Sequence, residues 1–270
     1  MIKLFVSDLD GTLLKKDITI TESDKKALEA LKLGGAQIAI ATGRMDIEIK
    51  KIQKMIEESF HRISQNGAFA YTKDDLLLHK NTFNATTAKN LFSLIRKTSF
   101  IHLVTDEHCN YTEVWHPFFD KVKTKALAPL TENQNLFNDI GNSINPSKFI
   151  ILGEYDKINA FQQTLKEEFP HEIETYISDK QCLDIMPKNI SKGSAVKALM
   201  SQFDLKENEV ACIGDSFNDV PMLEMTPYSF AMENALPGVK EKANYIVKSV
   251  SEAIEIILKI NSQEKAYMKQ

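Results

Sequence analysis

Two aspartates flank a single leucine in SDLDGTLL (7–14), directly after the apolar positions Ile2, Leu4, Phe5 and Val6. Asp10-Gly11 reads as a turn, because Asp and Gly are what a chain uses when it leaves a strand and must reach positive φ. A turn leaves Asp8 unexplained, since an apolar residue there would extend the strand. Residues two apart on an extended chain point to the same side. Both carboxylates can then face one crevice, where their repulsion calls for a cation, and a metal site is the chemistry this pair suggests.

Further polar candidates fall where other apolar runs stop. Thr42, Gly43 and Arg44 end AQIAIATG (36–43) and its extension, and Asp215 ends EVACIGD (209–215), inside GDSFND. Open parallel sheets bind ligands outside the carboxyl ends of their strands, so a suitably wound sheet gathers these carboxylates around one small space. Carboxylate oxygens with waters suit Mg²⁺, a hard ion that also binds phosphate oxygens. Each group has a plainer reading as well. Thr42-Gly43 can be only a strand-to-helix turn, and Asn218 or Asp219, just before Val220-Pro221, can cap the next helix. Lys192, in SKGSAVKAL at a helix start, reads in isolation as one more solvated lysine.

The elements that must position these residues follow from the same runs. IKLFVSD (2–8), AQIAIATG and EVACIGD have the Val- and Ile-rich character of buried parallel strands. TESDKKALEALKLGG (21–35) is a crossover helix with Thr21 as N-cap, Asp24 three residues on, apolar Ala27, Leu28 and Leu31, and Gly34-Gly35 as its stop. A helix near 193–203, strands at 209–214, YSFAM (228–232) and NYIV (244–247), and an amphipathic helix from about 250 repeat the alternation. Both ends therefore predict a doubly wound α/β sheet.

The middle differs. It predicts a helix over ATTAKNLFSLIRK (85–97), strands near 101–105 and 111–115, and an irregular polar stretch through Asn145. KFIILGE (148–154), a helix over DKINAFQQTLKEEF (156–169) and strands near 172–178 and 182–186 close it. Adjacent strands there suggest antiparallel pairing in an inserted α+β module. With joints at HKNTFN (79–84) and MPKNIS (186–191), residues 1–82 and 188–270 form a discontinuous core and 83–187 the insert.

Composition excludes several classes. The chain has 270 residues, 43% of them apolar, and a formal charge of −4 from 33 basic and 37 acidic side chains. With no basic excess and only Arg44, Arg62 and Arg96 as arginines, nucleic-acid binding is not expected. Cys109, Cys182 and Cys212 are odd in number and form no CxxC pair, which indicates neither a disulfide framework nor a thiolate zinc site and fits a cytoplasmic setting. No signal-peptide pattern and no run of roughly 20 apolar residues predicts export or a membrane span. His102, His108 and His116 suit surface or packing roles rather than metal binding, and the aromatic run WHPFF (115–119) suits core packing or a subunit contact better than the lining of a substrate pocket, which is its alternative reading. Oligomeric state is not legible.

Taken in order, DLDGTL at 8–13, ATGR at 41–44, SKG at 191–193 and GDSFND at 214–219 resemble the four motifs of the haloacid dehalogenase-like (HAD) superfamily. QNGA at 65–68, the long insert between the second and third motifs, and AMENA at 231–235 resemble its Cof-type branch, hydrolases with a type-II cap. The resemblance implies a Rossmannoid core with an inserted α+β cap and a Mg²⁺-dependent phosphatase that works through an aspartyl phosphate. It implies Asp8 as nucleophile and Asp10 as general acid and base. By the same resemblance Leu9 would offer its backbone to the phosphate, and Thr42, Gly43, Lys192 and Asn218 resemble the family's phosphate ligands. Asp8, the backbone carbonyl of Asp10, and Asp215 resemble its Mg²⁺ ligands, with Asp219 in support. The second Asp of DLD is what metal-independent dehalogenases lack, so dehalogenation is disfavoured. The implied substrate is a small phosphate monoester, a sugar phosphate or a cofactor-like phosphate, selected by the cap. A phosphosugar mutase is an alternative, although it must grip a second phosphate and Arg96 is the only arginine between 85 and 185. A non-catalytic sensor of a phosphometabolite is another.

Overall fold

The computed structural model describes residues 1–15, 18–123, 127–179 and 181–267. Before the insert come β1 (Leu4–Ser7), β2 (Gln37–Ala41), β3 (His61–Ser64), β4 (Phe69–Tyr71) and β5 (Leu77–Lys80). Within it lie β6 (Ile101–Thr105), β7 (Asn110–Thr112), β8 (Leu130–Glu132), β9 (Lys148–Leu152), β10 (Ile173–Asp179) and β11 (Cys182–Pro187). After it come β12 (Val210–Gly214), β13 (Tyr228–Met232) and β14 (Tyr245–Val247). They form two sheets, ordered β14-β13-β12-β1-β2-β3-β4-β5 and β10-β11-β9-β6-β7-β8. The chain divides into two compact units, Met1–Arg44 with Ile49–Lys80 and Ser191–Gln270, and Met45–Glu48 with Asn81–Ile190.

In the first unit β14 through β3 run parallel, and β4 and β5 close the edge as antiparallel strands. The chain winds outward from β1 in both directions, which makes the carboxyl edge beside β1 a topological switch point. Leu4, Val6, Ala39, Ala41, Val210 and Cys212 bury one face against the Lys192–Gln202 helix through Ala195, Val196 and Leu199. On the Glu22–Leu33 helix, Thr21 caps Asp24 N, and Asp24 Oδ1 accepts from Ser251 N at 2.7 Å where the Val250–Tyr267 helix begins. The first unit is thus the doubly wound α/β sheet. β3 to β5 were not legible beforehand, because HRIS, FAY and LLHK are short and mixed in polarity.

The second unit is α+β. The Ala85–Ile95 and Tyr155–Glu168 helices bring Leu91, Phe92, Ile158 and Leu165 into one apolar cluster with Val104, Phe149, Leu183 and Ile185 of the sheet. Two expectations need correction. The strand near 111–115 is shorter and earlier, Asn110–Thr112, and β8 pairs with it in parallel, so the sheet is not wholly antiparallel. The stretch read as irregular through Asn145 contains the Pro117–Lys123 helix, β8 and the Leu136–Asp139 helix, with 124–126 outside the described residues. Elements of three to seven residues are too short to show a period. Among the described residues no helix is long and apolar enough to cross a membrane.

Candidate active site

Strand register puts the first candidates side by side. Ser7 pairs with Ile40 on one flank and Ile213 on the other. Asp8 therefore leaves the sheet level with Ala41 and Gly214, one residue short of Thr42 and Asp215, and its N–H donates to Ile213 O at 2.9 Å. Leu9 is buried and its carbonyl accepts from Leu14 N at 2.8 Å, which closes the loop that carries Asp10.

Lys192 is not solvated. It opens a helix that Ser191 and Ser194 cap reciprocally, and its ammonium is fully buried between two carboxylates, donating to Asp8 Oδ1 and Asp219 Oδ1 at 2.6 Å each. Gly193 permits this approach, since a β-carbon there would lie 2.3 Å from Pro221 O in the chain just past Asp219. Asp219 precedes the Val220–Leu223 helix but does not cap it through its side chain. Its carboxylate turns inward instead. One oxygen holds Lys192 and the other accepts from Asp215 N and Ser216 N at 2.9 Å. The reading of Asn218 or Asp219 as an ordinary helix cap is thereby corrected, because a buried ammonium is a stronger claim on that carboxylate than a helix end open to water.

Charge balance is uneven. Oxygens of Asp8, Asp215 and Asp219 lie within 4.8 Å of one another, with one ammonium among them. Burial first, relieved by Lys192 and renewed by Asp219, pushes the Asp8 carboxyl up to about 7, and burial with Asp219 pushes Asp215 up to about 6. Burial alone would lower Lys192, but Asp219 and Asp8 outweigh it and hold the ammonium charged. Asp8 Oδ2 is buried with no hydrogen-bond partner. An orphaned oxygen on one carboxylate of this cluster, together with a second carboxylate raised first by burial and then by like charge, fits a hard divalent cation.

The remaining candidates surround this group. Arg44 grips Asp10 with both ends of its fork, Nε to Oδ2 and Nη2 to Oδ1, each at 2.7 Å. Thr42 is buried and its hydroxyl accepts from Arg44 N at 3.2 Å. Asn218 donates from Nδ2 to Asn66 Oδ1 at 3.0 Å, and Gly43 is the residue beside that oxygen. Asp8, Lys192, Asp215 and Asp219 thus form one cluster, Asp10 is paired with Arg44, and Asn218 with Asn66. The two partners, Arg44 and Asn66, had no role assigned from sequence although both sit inside quoted motifs.

Residues 5–255 match the family model of the haloacid dehalogenase-like hydrolases. The chain belongs to that family. A curated relative, 5-amino-6-(5-phospho-D-ribitylamino)uracil phosphatase YwtE of Bacillus subtilis (strain 168), is 24% identical over 93% of this chain and 94% of its own. A haloacid dehalogenase-like hydrolase from Bacteroides thetaiotaomicron superposes with a TM-score of 0.82 at 25% identity, over 95% of this chain and all (100%) of the other. A Thermotoga maritima crystal structure gives 0.82 at 25% identity, over 94% and 97%. This HAD hydrolase thus shares the family's architecture along nearly its whole length.

Proposed function

We propose that this HAD hydrolase is a Mg²⁺-dependent phosphatase of small phosphate monoesters, with 1–82 and 188–270 as catalytic core and 83–187 as a substrate-selecting cap. The observation that carries the reading is the divided state of Asp8: Oδ1 is tied to a buried ammonium, and Oδ2 is buried without a hydrogen-bond partner on a carboxylate clustered with Asp215 and Asp219. Asp8 Oδ2, Asp215 and the main-chain carbonyl of Asp10 would hold the magnesium ion. Bound there, the ion offsets the repulsion between an ionised nucleophile and a phosphoryl group, roughly 4 kcal/mol per unit pair at ~4 Å and an effective dielectric near 20.

The chain's own residues supply the rest. Asp8 attacks phosphorus, the bond to the leaving oxygen breaks, and Asp10 gives that oxygen a proton. Water then attacks the aspartyl phosphate, yields a proton to Asp10, and the phosphorus–Asp8 bond breaks to release inorganic phosphate. Lys192 has three donors and uses two on Asp8 and Asp219, which leaves one for a phosphoryl oxygen. Thr42, Gly43, Asn218 and the Leu9 backbone complete the proposed phosphate cradle. A carboxylate whose two oxygens both accept from a guanidinium has no proton to give, so Asp10 acts as acid only after the Arg44 pair opens.

YwtE's name states a phosphorylated ribityl compound as its substrate, which favours a sugar phosphate or cofactor-like phosphate here. Arg96 Nε is paired with Glu113 at 2.8 Å, which counts against the grip on a second phosphate that a mutase needs. A panel of phosphate esters assayed with Mg²⁺ tests the proposal. Phosphate release that stops in excess chelator and recovers poorly with Ca²⁺ is the expected result, and full activity in chelator overturns the metal assignment.

A further inference from the structure

The QNG turn joins the three segments that carry Thr42, Lys192 and Asn218. Gln65, Asn66 and Gly67 are consecutive left-handed residues with φ of 48°, 56° and 106°, and all are buried. Two such residues in a row that are not glycine are strained, and strain of this kind persists only where the surroundings over-determine it. The surroundings do so here. Gln65 N donates to Arg44 O at 2.8 Å and Asn66 N to Thr42 O at 2.9 Å, so the turn holds the loop after β2 on both sides of Gly43. On its other flank Gly67 lies against the start of the Lys192 helix, where a β-carbon would sit 2.1 Å from Ser191 O.

Conformation alone does not explain Asn66. Glycine would hold a φ of 56° without strain, as Gly67 holds 106° next door, and a buried amide is unfavourable unless it is bonded. Its oxygen has a specific use: it accepts from Asn218 Nδ2 at 3.0 Å. Asn218 Oδ1 is buried without a partner, so the Asn66 bond sets the orientation of that amide. The amide nitrogen carries two donors, and one of them remains.

We propose that Asn66 is a positioning residue of the phosphate site, fixing the Asn218 amide by one N–H so that the other meets a phosphoryl oxygen. The proposal rests on the phosphatase reading above. It explains why a residue outside the strand ends that carry the chemistry occupies a strained, buried position.

The test is a double-mutant cycle on the full chain, with Mg²⁺, p-nitrophenyl phosphate as substrate and inorganic phosphate as competitive inhibitor. Asn66→Gly keeps the backbone conformation and removes the amide. It should leave thermal unfolding near that of the wild type, weaken inhibition by phosphate, and lower kcat/KM roughly 10- to 100-fold, the scale of a hydrogen bond to a charged group. In an Asn218→Ala background the same change should alter kcat/KM by less than about twofold, because the amide it orients is gone. A purely structural turn predicts equal losses in both backgrounds, and that result overturns the proposal. So does an Asn66→Gly enzyme with wild-type kinetics. Asn66→Ala gives a second, independent reading of the same coupling, because the strain of a β-carbon in the left-handed region falls on both backgrounds and cancels in the cycle. A wild-type protein that releases no phosphate from any ester would instead overturn the phosphatase reading.

Discussion

The crevice at β1 and the cleft at the start of β6 are both polar, and they hold their charges in opposite ways. At β1 the Lys192 ammonium and the Asp219 carboxylate are fully buried and the Asp8 side chain is 7% exposed, each fixed by named partners at 2.6 Å. In the other unit a cavity of about 330 Å³ is lined by Arg96, Glu113, Trp115 and His116 among others, and there the Arg96 side chain is 41% exposed. Trp115 Nε1 donates to Asp120 at 2.9 Å and its ring meets Phe119 edge-on. Ions taken out of water cannot rearrange cheaply, whereas a pair with one half-exposed member, such as Arg96 with the 17% exposed Glu113, and aromatic edges repack at lower cost. The first arrangement suits a fixed reaction, and the second suits a surface that tolerates substitution.

Breaking the fixed side should have the largest effect. Asp8→Asn should abolish turnover and every trace of covalent phosphate, since an amide is a poor nucleophile. Acid-quenched labelling with mass spectrometry checks this, and residual covalent phosphate on the variant would mean that another residue attacks.

Asp10→Asn should cost less, roughly 10² to 10⁴ in kcat. With a leaving group that needs no proton, aspartyl phosphate should still form on Asp8 and then accumulate, because water is no longer activated. Rapid-quench kinetics with p-nitrophenyl phosphate separates the two steps. Equal slowing of formation and breakdown would remove Asp10 from its assigned role.

Variants of the adaptable side come next. His108→Ala in the β6–β7 hairpin and Trp115→Ala in the cleft should each change the ranking of phosphate esters by up to about tenfold in kcat/KM, the scale of one apolar contact. The Mg²⁺ concentration for half-maximal rate should stay where it is. A changed ranking from one variant alone assigns selection to the hairpin or to the cleft, and an unchanged ranking from both counts against a selecting role for residues 101–119.

The same contrast explains what could be read from sequence. Asp8 and Asp215 were legible because each interrupts a Val- and Ile-rich run at a place where packing alone would favour an apolar residue. Both winding directions from β1 were legible for the same reason. The inward turn of Asp219 was not, since an Asx residue before Val220-Pro221 has the local signature of a helix cap, and only the distant Lys192 reveals the competing demand. The Arg44–Asp10 fork joins residues 34 apart, and no local pattern encodes that pairing. Asn66 lay hidden because Gln and Asn before Gly look like any polar turn, while their left-handed conformation is imposed by contacts with Arg44, Thr42 and Ser191. In the second unit β7 and β8 have three residues each, too few for alternation to rise above chance.

The smallest effect concerns stability, and it isolates the strain of the buried cluster. Burial and Asp219 raise the Asp8 carboxyl from 3.8 to about 7 in the folded chain. Between those values the folded chain binds more protons at Asp8 than the unfolded chain does. The stability Asp8 contributes is therefore present below its unfolded value and lost as pH rises through the folded one. Asp215, raised to about 6, acts in the same direction, and His61, lowered to about 4 first by burial and then by Lys73, acts in the opposite one. Asp8→Asn removes one titration and leaves the others in place. In chelator, the variant's unfolding temperature relative to wild type should climb from about pH 4 to about pH 7 and level off above that, by a few degrees in a chain of this size. Mg²⁺ should reverse the order near pH 8, because the cation binds the ionised wild-type carboxylate and stabilises only the folded form that holds it. Parallel curves for the two proteins across this range, with and without Mg²⁺, would show that Asp8 neither holds a raised carboxyl nor meets the cation.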